Sequence, residues 1–134
     1  MTNSTPARCR VFVAEKNADL ATTLVAVIGL EPDLECVGMT FSGADALAGA
    51  VAAKADVMIV DFSLPGRNAL GILDDARASG TRIAILVYTG HSSPEIAAET
   101  RVRGAMGYVV KGAAFEVLAE EIRRIYAAQV ASNR

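Results

Sequence analysis

Tryptophan is absent from this chain and histidine and cysteine are scarce, so several kinds of site lack the residues to build them. His91 is the only histidine, and Cys9 and Cys36 do not have the C-x-x-C spacing of zinc or redox sites. Both cysteines are predicted to be buried free thiols. No apolar run is long enough to span a membrane, and the polar N-terminus lacks the apolar segment of a signal peptide. We expect a soluble, cytoplasmic protein.

The chain also has no large excess of charge of either sign, since 13 basic and 15 acidic residues leave a net charge of -2. Without a basic field, direct binding to nucleic acid is not expected. The chain is instead rich in hydrophobic residues, at 52% of 134 residues, which suffices for the core of one domain. We predict a flexible lead over residues 1–8, a single domain over 9–130 and a short tail over 131–134.

Short apolar runs alternate with segments of helical period along the chain. The predicted strands are 11–14, 34–38, 57–60, 83–87 and 107–110, and the predicted helices are 18–29, 43–53, 69–79, 93–103 and 114–129. Asn17 and Ser42 suit the first positions of the first two helices, and Gly80 and Gly104 suit helix ends. The apolar stripe of the fifth helix, with Leu118 at its centre, is predicted to face the core.

Five strand and helix repeats in this length predict a doubly wound α/β domain, with a parallel sheet covered by helices on both faces. Ligands of such sheets bind beyond the carboxyl ends of the strands. Five polar residues follow the predicted strands at that edge, namely Glu15, Lys16, Asp61, Thr89 and Lys111. A carboxylate placed as Asp61 is can attack phosphorus, provided that cations neutralise the phosphoryl oxygens.

Three stretches, VMIVDFSLPG at 57–66, LVYTG at 86–90 and GAMGYVVK at 104–111, together resemble the receiver domain of two-component response regulators. The resemblance covers about Arg10 to Tyr126. It implies a flavodoxin-like fold of five βα repeats with strand order 2-1-3-4-5. The resemblance also implies that Asp61 accepts phosphate from a sensor histidine kinase or a phosphotransfer protein.

By the same resemblance, Lys111 would contact the phosphoryl group and Thr89 would move to bind it. Tyr108 would be the switch aromatic that turns inward as Thr89 shifts. The change would pass to a downstream protein partner through the face of the fourth helix, fifth strand and fifth helix, with a homodimer as a further option. No separate substrate would be turned over, so the chain is not expected to be an enzyme.

The chain departs from the family pattern at the end of its first strand. The family has two adjacent acids there that hold Mg²⁺, whereas this chain has Glu15 followed by Lys16. The implied metal ligands are Glu15, Asp61 and the backbone carbonyl of Ser63, weakened by Lys16. Either phosphorylation is lost, or the Lys16 ammonium partly replaces the charge of the metal and phosphotransfer is slower. We expect Lys16 to pair with Asp61 in the resting state.

Alternatives to a phosphorylated receiver stay open at this point. One is a pseudo-receiver, a protein-interaction module that works without phosphate because Lys16 occupies the metal pocket. Another is a flavodoxin-like electron carrier, although the segment after the first strand lacks a glycine-rich phosphate loop. His91 could order water at the rim or be a solvated loop residue, and Arg67 is a candidate partner contact.

Overall fold

A computed structural model describes residues 7–91 and 93–132. Residues 1–6 of the predicted lead and 133–134 of the predicted tail lie outside the described residues. The strands are β1 (Cys9–Ala14), β2 (Leu34–Thr40), β3 (Val57–Asp61), β4 (Ala84–Thr89) and β5 (Gly107–Val110). The helices are α1 (Ala18–Ile28), α2 (Ala46–Ala52), α3 (Ala69–Ser79), α4 (Pro94–Val102) and α5 (Phe115–Ser132).

The five strands form one parallel sheet in the order β2-β1-β3-β4-β5, which confirms the predicted fold and strand order. The reversal of strand order lies between β1 and β3, where Val13 stands opposite Ile59. In β3 and β4, Asp61 stands opposite Tyr88. The carboxyl ends of β1, β3, β4 and β5 therefore meet at one edge, as a doubly wound sheet requires.

Side chains alternate between two apolar clusters on the two faces of the sheet. Val11 and Val13 of β1 face the cluster that α1 and α5 cover, whereas Phe12 and Ala14 face the cluster under α2 and α3. This alternation is the period-2 pattern of a strand covered on both sides. The predicted stripe of α5 is confirmed as core, with Leu118, Ile122 and Ile125 all buried in the first cluster.

Most helix boundaries follow local signals in the sequence. The Asn17 side chain accepts a hydrogen bond from the Leu20 amide at 3.0 Å and so caps α1. Gly80 ends α3 with a φ of 70°, in the left-handed region that favours glycine. α5 continues to Ser132 and so takes in two residues of the predicted tail. None of the described helices has the length and apolar character needed to span a bilayer.

The prediction for the start of the second helix is wrong. α2 begins at Ala46, and Ser42 caps the preceding turn instead, where its Oγ accepts from the Ala44 amide at 3.2 Å. The Gly43 carbonyl accepts from the Ala46 amide at 3.3 Å, three residues along the chain, and the Gly43 amide donates to the Pro65 carbonyl at 2.8 Å. Residues 43–45 therefore form a turn that is tied to another loop, and the helix begins only after this turn.

Both cysteines are free, as predicted, but only Cys9 is fully buried while Cys36 is half-buried. Burial, aided by the nearby charges of Asp56 and Asp33, raises the pKa of the Cys9 thiol to about 12. A thiol with so high a pKa is a poor nucleophile at neutral pH. Cys9 therefore has a packing role.

Candidate functional site

Asp61 is the last residue of β3 and is only 2% exposed. Two backbone amides hold its carboxylate, since Ser63 N donates to Oδ1 and Lys16 N donates to Oδ2, each at 3.3 Å. The Lys111 ammonium lies 3.3 Å from Oδ1. A buried carboxylate needs such partners, because desolvation penalises its charged form.

Glu15 follows β1 and shares the Lys111 ammonium with Asp61. Its side chain is fully buried, and Oε1 lies 2.8 Å from Lys111 Nζ. Oε1 has no other partner among the described residues, whereas Oε2 accepts from the Asn17 amide at 3.0 Å. Lys111 thus bridges two buried acids.

The two acids have opposite pKa shifts. Burial raises the pKa of Glu15 and outweighs the Lys111 ammonium and the Asn17 amide, which lower this pKa, while the Asp61 charge adds a smaller upward contribution. Burial also acts to raise the pKa of Asp61, but Lys111, the Ser63 and Lys16 amides and the Glu15 side chain outweigh it, so that this pKa is lowered. Asp61 is therefore the acid that stays ionised, and Glu15 is the one that is protonated first.

Contrary to the prediction, the Lys16 side chain does not pair with Asp61. Its ammonium bonds to the Ser63 Oγ at 2.7 Å, and only its backbone amide reaches the Asp61 carboxylate. β1 ends at Ala14 and the chain bends at Lys16, so that the Glu15 side chain is buried while the Lys16 side chain is exposed. Lys16 is exposed at the mouth of the pocket.

Thr89 and Tyr108 meet at the backbone of His91. The buried Thr89 hydroxyl donates to the His91 carbonyl at 3.0 Å and accepts from the His91 amide at 3.1 Å. The Tyr108 hydroxyl donates to the same carbonyl at 3.2 Å. The two predicted switch residues are thus joined through one loop carbonyl, while the His91 side chain itself is exposed.

Sequence reasoning missed Tyr88 as part of this site. Lys111 Nζ lies 5.6 Å from the centre of the Tyr88 ring, within the range of a cation–π contact. Burial, with a further contribution from the Glu15 charge, raises the pKa of Tyr88 against the opposing effect of Lys111. The only signal in the sequence was a large aromatic residue directly before Thr89.

The loop after Asp61 packs closely against the turn that contains Gly43. A Cβ at position 43 would lie 1.7 Å from the Arg67 carbonyl oxygen, so the close approach of this loop requires Gly43. Arg67 turns towards α3, where its guanidinium pairs with Asp75 at 2.8 Å. Arg67 therefore lies on the flank of the loop and is engaged within the chain.

The predicted metal ligands do not fit Mg²⁺ well. The described residues contain no group of three or more His, Cys, Asp or Glu side chains suited to a metal ion. Glu15 and Asp61 already share the Lys111 ammonium, and the Lys16 ammonium is bonded to Ser63, whose carbonyl would be the third ligand. Mg²⁺ needs several oxygen ligands in octahedral order, and two neighbouring ammonium groups repel it.

Comparison with known proteins agrees with this geometry. The family model described as the response regulator receiver domain matches residues 11–123. The transcriptional regulatory protein DesR of Bacillus subtilis is 32% identical over 126 residues, covering 90% of this chain and 62% of DesR. The DNA-binding transcriptional activator DevR/DosR of Mycobacterium tuberculosis is 32% identical over 102 residues, covering 76% of this chain and 47% of that protein.

The chain thus spans about half to three-fifths of the length of these two relatives. Among solved structures, a DNA-binding response regulator of the LuxR family from Staphylococcus aureus superposes with a TM-score of 0.83 at 26% identity. The superposition covers 88% of this chain and 98% of that one. With the family model matched over most of its length, this chain belongs to the response regulator receiver domain family.

Proposed function

We propose that Asp61 accepts a phosphoryl group from a sensor histidine kinase or a phosphotransfer protein. The observation that carries this proposal is the environment of Asp61, an ionised carboxylate at the carboxyl edge of the sheet, 3.3 Å from a lysine. A carboxylate nucleophile has to be ionised, and a cation beside it lowers the charge barrier for an incoming phosphoryl group. Asp61 meets both requirements.

Lys111 would then hold the phosphoryl oxygens from the inner side of the pocket. Thr89 would give up its hydrogen bond to the His91 carbonyl and bind the same oxygens, and Tyr108 would no longer share that carbonyl with Thr89. The two arrangements differ by a few hydrogen bonds. A free-energy difference of that size is one that a bound group can offset, which shifts the population from one state to the other. Tyr108 would turn inward into the space left by Thr89.

The output surface would be the face of α4, β5 and α5. Val102 on α4 is 70% exposed, and Val117 on α5 lines a groove together with Tyr108, Glu121 and Arg124. Exposed apolar side chains next to the switch aromatic suit a protein partner, or a second copy of the chain, better than nucleic acid. The chain has a net charge of -2, which gives DNA no electrostatic support. We propose a signalling role, without substrate turnover, for this chain.

Receiver domains bind Mg²⁺ at their acidic pocket, and here the acid beside Glu15 is replaced by Lys16. We propose that Mg²⁺ binds weakly. The same observation supports a second candidate function, that of a pseudo-receiver. Its two acids are balanced by two lysines, so the pocket is neutral without either metal or phosphate. Membership of the receiver family argues against the flavin-carrier alternative.

Intact mass spectrometry after treatment with acetyl phosphate separates these candidates. We expect the wild-type chain to gain the mass of one phosphoryl group and Asp61→Asn to gain none. Asn is the matched control because it keeps the shape of the side chain but is a poor nucleophile. A wild-type chain that stays unmodified with and without Mg²⁺ would support the pseudo-receiver.

A further inference from the structure

The two ammonium groups beside Asp61 are held in different ways. Lys111 is bound by two carboxylates, whereas Lys16 is bound by one neutral hydroxyl. We propose that Lys16 is a tethered cation that takes over the role of the divalent metal ion, so that Asp61 accepts a phosphoryl group without Mg²⁺. This inference rests on the proposed phosphorylation of Asp61 and goes beyond it by removing the metal requirement.

The charges of the pocket support this assignment. Exchanging an acid for a lysine changes the fixed charge at position 16 from −1 to +1, a change equal in size and sign to adding Mg²⁺. Glu15 and Asp61 then carry two negative charges against the two positive charges of Lys16 and Lys111. The pocket thus has the same balance that a metal ion provides for three acids and one lysine.

The position of Lys16 also suits this role. Its backbone amide donates to one oxygen of Asp61, while the Ser63 amide donates to the other. Ser63 thus binds the Lys16 ammonium in the resting state and also donates a backbone hydrogen bond to the nucleophile, Asp61. The Lys16 ammonium and a phosphoryl oxygen carry opposite charges, whereas the Ser63 hydroxyl is neutral, so the contact with the phosphoryl group is the stronger of the two. Release of Ser63 for an arriving phosphoryl group is therefore favourable.

The chemical step needs no further reactant. With acetyl phosphate as donor, one Asp61 carboxylate oxygen attacks phosphorus and a new O–P bond forms. The O–P bond to the acetyl group breaks, and acetate leaves with the bonding electrons. No proton is transferred. Lys16 at the mouth of the pocket and Lys111 inside it neutralise the phosphoryl oxygens from two sides.

The test is phosphorylation by acetyl phosphate in EDTA and in MgCl₂, followed by intact mass over time. We expect equal rates for the wild-type chain in both buffers. Lys16→Met should be slower by about tenfold in EDTA, the effect of losing one charge-assisted hydrogen bond. Lys16→Arg keeps the charge and should retain most of the rate. Because Lys16 is exposed, these variants are expected to fold, and circular dichroism checks this.

A second readout does not depend on the reaction. Titration calorimetry with MgCl₂ alone should show at most weak binding to the wild-type chain and clearly tighter binding to Lys16→Asp, which restores the second acid. Phosphorylation that occurs only with Mg²⁺, a Lys16→Met rate equal to wild type in EDTA, or wild-type binding of Mg²⁺ as tight as that of Lys16→Asp would overturn the inference alone. A wild-type chain that is unmodified in both buffers would overturn the proposed function as well.

Discussion

Lys111 and Lys16 both approach Asp61, but they belong to different parts of the molecule. Lys111 lies inside the pocket with its side chain 20% exposed, in contact with Glu15, Asp61 and the Tyr88 ring. Lys16 lies at the mouth and is bonded to a hydroxyl. The inner lysine compensates two buried charges and so contributes to folding, whereas the outer lysine can leave its partner at little cost.

The largest effect on stability is expected from Lys111→Met. This change leaves two buried carboxylates without their cation, and breaking a buried ion pair costs about 3 kcal/mol. Urea unfolding measures the loss. In a Glu15→Gln background the same change should cost clearly less, because only one charge is then left uncompensated. Equal losses in the two backgrounds would show that Lys111 does not bridge the acids.

Tyr88→Leu should have the next largest effect. It removes a buried ring under the Lys111 ammonium, and the combined loss of packing and cation–π contact is about 1–2 kcal/mol. Tyr88→Phe is the control, since it keeps the ring and removes only the hydroxyl. If Tyr88→Phe were as unstable as Tyr88→Leu in urea, the hydroxyl rather than the ring would be the important group.

Glu15→Gln should change how stability depends on pH. Because the pKa of Glu15 is raised in the folded chain, its contribution is present below the ordinary value of 4.5 and is lost as pH rises through the folded pKa. The variant lacks this loss, so the free energy of unfolding of Glu15→Gln should rise relative to that of wild type as pH increases towards neutral. Parallel pH profiles in urea unfolding would contradict the shift.

Lys16→Met should have the smallest effect on stability. The ammonium is exposed and its partner is neutral, so we expect the same midpoint of urea unfolding as wild type. Together with a slower phosphorylation in EDTA, this result would separate the outer lysine from the inner one. A destabilisation as large as that of Lys111→Met would instead place Lys16 in the buried network.

The sheet and the rim could be predicted because their signals are local. Apolar runs such as that of β3 predict buried strands, and a polar residue directly after a run, such as Asp61 or Lys111, predicts the edge where strands end. The pairing of the predicted rim residues was harder to predict from the sequence. Whether Lys111 contacts Glu15, Asp61 or both depends on how far β1, β3 and β5 extend towards this edge of the sheet. No local sequence pattern encodes that.

Two of the wrong predictions, those for Ser42 and Lys16, have related causes. Ser42 has a good capping side chain, but α2 starts later because residues 43–45 form a turn, which is bonded to Pro65 in a distant loop. Lys16 has the right charge to pair with Asp61, but the chain bends at this position and the ammonium bonds to Ser63 instead. In each case the residue type suggested the right kind of interaction, and the backbone at that position decided its partner.

The bond between the Gly43 amide and the Pro65 carbonyl makes the turn before α2 and the loop after Asp61 one mechanical unit. A displacement of that loop has to carry the turn with it or break this bond. The exchange rate of the Gly43 amide hydrogen with deuterated water therefore reports on the state of the Asp61 loop from outside the pocket. Hydrogen–deuterium exchange at Gly43 can therefore detect motion of the Asp61 loop without a label in the site itself.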